Sequence, residues 1–188
     1  MSLSEVTKQR GRPSPMMFIS LGIGVTIAVV LITIVSYFTG GTVTTPTTQS
    51  SLIGKSVPSF TLTDLKGETI ASPWSTGHPT LLVFLASWCA PCRKELPGLA
   101  SYLEHHDLGN LTVLGVNYND AASSAQALVQ RANFTFPVVP DSGALTTTDF
   151  ALPGLPDTVL VSSTGKVLAV TTGVTSDAQL AQYLALAH

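Results

Sequence analysis

The sequence predicts an α/β domain built on a mixed central sheet flanked by helices, opened by an N-terminal β-hairpin and preceded by one transmembrane helix. Three observations lead there. From about Leu52 onward, β-type and helical patterns follow one another in the order β-β-β-α-β-α-β-β-α. The only two cysteines, Cys89 and Cys92, form a Cys-x-x-Cys pair where an apolar β-type run meets a helical pattern. Residues Met16 to Phe38 contain no Asp, Glu, Lys or Arg.

Residues 1–15 are polar, carry Gly11, Pro13 and Pro15, and read as a cytoplasmic tail. As a helix rising about 1.5 Å per residue, the apolar run 16–38 spans roughly 35 Å, enough to cross a bilayer. Lys8, Arg10 and Arg12 precede it and no basic residue follows until Lys55. The positive-inside rule therefore puts the N-terminus in the cytoplasm and everything after Phe38 outside, as a single-pass protein of the cell membrane. The alternative is a cleaved signal peptide, whose apolar region is shorter, about 7–15 residues. The length of the run and the interfacial pair Tyr37-Phe38 favour an uncleaved anchor. Residues 39–51, rich in Thr, Ser and Gly, cannot build a core and read as an extended linker.

Residues 52–188 are enough for one α/β core. There, six Lys and Arg face ten Asp and Glu, a net charge of −4. No basic stripe remains, so nucleic-acid binding has no electrostatic footing. Phe60 to Thr63 alternates like a strand, and Asp64 to Glu68 turns the chain into Thr69-Ile70, a small hairpin. Thr80 to Leu85 is a continuous apolar run, the pattern of a strand buried on both faces. The helix from Pro91 to about His106 carries Leu96, Leu99, Ala100 and Leu103 at helical spacing, and Pro97 predicts a kink within it. Leu111 to Asn117 is a second β-rich run. Asp120 is placed to cap a helix over Ala121 to Ala132. Phe136 to Pro140 is short and extended, and Ala144 to Phe150 predicts one or two helical turns. Thr158–Ser162 and Lys166–Thr171 flank Ser163-Thr164-Gly165 as a second hairpin. Ser176-Asp177-Ala178-Gln179 has capping-box form and opens a last helix.

The chemistry lies in Cys89 and Cys92. A strand running into a helix puts Cys89 near the helix N-terminus, where unpaired N–H groups and the dipole favour a thiolate. Three readings are open. A disulfide across two residues closes so short a loop that its entropic stabilisation is small, which argues against a structural staple. A zinc site needs four ligands, and His78, His105, His106 and His188 show no matching spacing. A redox-active pair fits the strand–CxxC–helix context best. Ala90 and Pro91 between the cysteines are uncharged, so the pair is expected to be poised by the helix rather than by an adjacent cation. Glu95 lies one turn beyond Cys92 on the same helix face. If that face is buried, desolvation raises its pKa and lets it exchange protons with Cys92.

Together these residues resemble the thioredoxin fold, and within it the membrane-anchored TlpA/ResA/CcmG type of thiol–disulfide oxidoreductase. Trp88-Cys89-Ala90-Pro91-Cys92 is similar to that family's W-C-x-P-C site, and Glu95 and Pro97 fall in its C-x-x-E-x-P continuation. Gly154-Leu155-Pro156 matches the family's cis-proline, and residues 117–136 look like the central insert of this branch. Asp157 matches an acidic residue of CcmG-type proteins, although a loop aspartate accounts for it equally well. The resemblance implies Cys89 as attacking thiolate, Cys92 as resolving thiol, Glu95 as proton-exchanging carboxylate, and Trp88, Leu155 and Pro156 as client-binding residues. No cofactor or metal is implied beyond the Cys89–Cys92 dithiol. Implied partners are Cys-containing extracytoplasmic proteins such as apocytochrome c, and a membrane thiol-electron donor.

Disulfide reduction leads, with oxidation or isomerisation of secreted proteins as the alternative, because spacing does not set the direction of electron flow. A thiol peroxidase of related fold would carry its resolving thiol elsewhere. A copper-delivering protein of this fold pairs C-x-x-x-C with a downstream His, and the spacing here is one residue short.

Overall fold

The computed structural model describes residues 51–141 and 149–187. The expected tail, membrane anchor and linker, and most of the expected helical turns at 144–150, lie outside the described residues. Among the described residues no helix is long and apolar enough to cross a membrane.

The elements are β1 (Thr61–Thr63), β2 (Thr69–Ala71), β3 (Thr80–Leu85), α1 (Ala90–His105), β4 (Thr112–Asn117), α2 (Ala122–Arg131), β5 (Val138–Pro140), β6 (Asp157–Val161), β7 (Val167–Thr172) and α3 (Asp177–Ala187), with a 3-10 turn at Pro73–Thr76. β1 and β2 form the predicted hairpin. The other five strands make one mixed sheet in the order β5-β4-β3-β6-β7. β3 runs parallel to β4 and antiparallel to β6, β5 runs parallel to β4, and β7 antiparallel to β6. Every residue of β3 is buried, as its unbroken apolar run predicts for a central strand.

Alternate residues of β3 build two cores. Leu81, Val83 and Leu85 pack with Leu96, Leu99 and Leu103 of α1, Leu128 of α2, and Leu180 and Tyr183 of α3. Leu82 and Phe84 pack on the other face with Val57, Trp74 and Phe150. β4 and β5 approach closely at Gly115, where a Cβ would lie 2.8 Å from Val138 Cγ2.

Two expectations need correction. The extended stretch before Pro140 is a sheet strand, β5, pairing with β4, and adds a strand to the predicted order. Asp120 does not cap α2: Ala121 is the N-cap and makes no side-chain capping bond. α1 runs on through Pro97 as one helix to His105. The capping box does form: Ser176 N–H donates to Gln179 Oε1 at 2.8 Å, and Gln179 N–H returns to Ser176 Oγ at 3.4 Å.

Candidate active site

β3 ends at Leu85, and the chain crosses Ala86-Ser87-Trp88 to Cys89, the N-cap of α1. The two cysteines form a disulfide with an S–S distance of 1.98 Å. Cys92 N–H donates to Cys89 Sγ at 3.1 Å, so the first turn of the helix already offers a donor to that sulfur. That donor and the start of α1 are the features on which the expectation of a Cys89 thiolate rests. Both cysteines are buried, Cys89 at 4% exposed and Cys92 at 2%.

Arg93 Nη1 donates to the Ser87 carbonyl at 2.8 Å, just ahead of Cys89. The carboxylate of Asp120, expected at a helix cap, grips the same residue. It accepts from Ser87 N–H at 2.7 Å and from Ser87 Oγ at 2.9 Å. Trp88 is 54% exposed while its indole N–H donates to the Asn119 carbonyl at 3.0 Å.

Two carboxylates, Glu95 of α1 and Asp157 of β6, are buried near one another. Glu95 is 9% exposed and accepts from Thr175 N–H at 2.6 Å. Burial pushes its pKa above the usual carboxylate range; the Thr175 bonds pull it down, and the nearby Asp157 charge raises it further. Asp157 is fully buried, and burial raises its pKa from 3.8 to about 6, the Gly173 and Gly154 N–H groups drawing it partly back. Gly173 N–H donates to its Oδ1 at 3.1 Å, whereas Oδ2 is buried without a hydrogen-bond partner. Asp157 therefore belongs to the site region and is not a surface loop residue.

The Leu155-Pro156 bond is cis. Leu155 packs against Ala86 and both cysteines, and the Pro156 carbonyl accepts from Gly173 N–H at 2.8 Å. The β7–α3 loop reached in this way carries Thr175, which holds Glu95, and Val174, which is 57% exposed. The structure thus brings Trp88, Cys89, Cys92, Glu95, Leu155 and Pro156 into one region. Sequence reasoning missed Val174 and Thr175, and misassigned Asp120. Only Asp120 left a signal, as an acid next to a β-strand end, and a helix cap explained that equally well.

The AhpC/TSA family model matches residues 53–170, more than half of the chain. Over 133 residues the chain is 29% identical to thiol-disulfide oxidoreductase ResA of Bacillus subtilis (strain 168), covering 71% of this chain and 74% of that protein. It is 27% identical to ResA of Halalkalibacterium halodurans over 133 residues, 71% of this chain and 76% of that one. The crystal structure of StoA from Bacillus subtilis superposes with a TM-score of 0.58 at 25% identity, over 67% of this chain and 96% of that chain. The chain belongs to the AhpC/TSA family and is a thiol–disulfide oxidoreductase with a thioredoxin-like fold.

Proposed function

We propose that this oxidoreductase is a membrane-tethered disulfide reductase acting outside the cytoplasm on Cys-containing proteins, apocytochrome c among them. The observation that supports it most is the Cys89–Cys92 disulfide at the start of α1, with exposed Trp88 and Val174 and the partly buried Leu155 on neighbouring loops. Such apolar groups suit an extended polypeptide rather than a small polar disulfide. The charge-free run 16–38 and the basic residues ahead of it support the tether and its orientation.

In this reading Cys89 thiolate attacks one sulfur of a client disulfide. The new bond is a mixed disulfide, and the displaced client sulfur leaves as thiolate and takes a proton from water. Cys92 then loses its proton to Glu95 and attacks Cys89 Sγ. The second client thiol departs and the Cys89–Cys92 disulfide forms, so two electrons have passed to the client. A membrane thiol-electron donor runs the same steps backwards, and Glu95 returns the proton to Cys92. A carboxylate whose proton affinity is raised towards that of a thiol suits this exchange better than an ordinary one. Leu155 and Pro156 would hold the client backbone beside the sulfurs.

The direction of flow is tested by equilibrating the couple with glutathione. A potential near the thioredoxin end of the range, about −270 mV, agrees with a reductase. A potential near about −120 mV contradicts that direction and makes the protein an oxidase of secreted thiols.

A further inference from the structure

Ser87 leads the chain into the dithiol, and it is held from three directions. Its N–H and hydroxyl donate to the two oxygens of Asp120, and its carbonyl accepts from Arg93. Asp120 is itself fixed, because Nδ2 of Asn117, buried at the end of β4, donates to the Asp120 carbonyl at 3.0 Å. Between them the turn passes through Asn119 at a φ of 43°, the left-handed region that asparagine tolerates. That turn aims the Asn119 carbonyl at the Trp88 indole N–H. The Trp88 ring also stands edge-on to Tyr118, with centroids 6.4 Å apart. An indole whose N–H is satisfied by backbone while half its surface stays in water is oriented without being buried. It offers a fixed apolar face to whatever approaches the disulfide.

We propose that Asp120 is a positioning residue: acting through Ser87 and the Tyr118–Asn119 turn, it fixes Trp88 as one wall of the groove that receives a cysteine-bearing client chain. The inference rests on the protein-disulfide exchange proposed above. Two hydrogen bonds to one carboxylate are of the stronger, charge-assisted kind, and they join segments 33 residues apart in sequence. Without them the 86–89 loop loses its tie to the β4–α2 turn, and the tryptophan loses its register with that turn. A small disulfide needs only the sulfur, whereas a protein client also meets Trp88, so the two substrates separate this role from a general one.

Asparagine at position 120 can turn its oxygen to Ser87 N–H and its amide to Ser87 Oγ, which then accepts; alanine keeps neither bond. The full chain, Asp120→Ala, Asp120→Asn and Ser87→Ala, each kept in the dithiol form by added dithiothreitol and corrected for the uncatalysed rate, are compared for reduction of insulin and of oxidised glutathione. Asp120→Ala is expected to raise KM for insulin about tenfold while the glutathione reaction changes by less than about twofold, since misplacing a binding wall weakens positioning and leaves the sulfurs in place. Asp120→Asn restores most of the loss. Acrylamide quenching of tryptophan emission rises in Asp120→Ala, a change at Trp88 because Trp74 is buried. Ser87→Ala removes one bond, shows a smaller loss in the same sense, and carries the test if Asp120→Ala does not fold. Equal losses on both substrates, or none on either, overturn the role of Asp120. An unsubstituted chain that reduces neither substrate overturns the exchange reading itself.

Discussion

Asp157 shows how much one residue can depend on packing that its neighbours in sequence do not announce. Following a proline in a Gly- and Pro-rich stretch, it reads equally well as a loop aspartate. It is buried because it is the first residue of β6, paired in register with Phe84 of β3 and Thr172 of β7. Its folded pKa of about 6 lies above the ordinary 3.8, so between those values the folded state holds a proton that the unfolded chain has released. Its stabilising contribution is therefore present in full below about pH 4 and lost as pH rises through about 6, a change on the order of 2–3 kcal/mol. Asp157→Asn cannot ionise, so its stability relative to the natural chain should improve by that amount between pH 4 and pH 7 in urea unfolding. A difference that does not move with pH contradicts a buried aspartate of raised pKa. Glu95 was more legible, because its i, i+3 spacing from Cys92 on an amphipathic helix already places it on an inward face.

Elements were read best where a single local signal sufficed. The apolar run of β3, the hairpin around Ser163-Thr164-Gly165 and the capping box of α3 each appear as predicted. β5 was seen as extended but not as a sheet member, since it is three residues long and a proline stands immediately before it and another ends it. Asp120 was misread for a related reason: an acid before a helical pattern is the usual N-cap signal, and only the tertiary fold shows Ser87 taking its oxygens. The seam between β4 and β5 has its own requirement. Gly115 faces Val138 and Phe134 across it, leaving no room for a methyl group. Gly115→Ala should destabilise the domain by about 1–3 kcal/mol through overpacking, measured as a lower urea midpoint. An unchanged midpoint would mean that the edge strand yields freely.

For the whole molecule, the proposed role requires three features in one chain: a tether, a dithiol beyond the membrane, and an apolar approach to it. The dithiol and its approach form one site built by the ends of β3 and β4, the start of β6 and the β7–α3 loop. The tether rests on the charge-free run 16–38 and its basic flank. The most direct measurement is a trap in the native membrane, using the full chain with Cys92→Ser so that a mixed disulfide on Cys89 is not resolved. The account predicts reductant-sensitive adducts between Cys89 and Cys-containing extracytoplasmic proteins, absent when Cys89→Ser is added. A chain present in the membrane that captures no such protein, or captures only cytoplasmic ones, contradicts it.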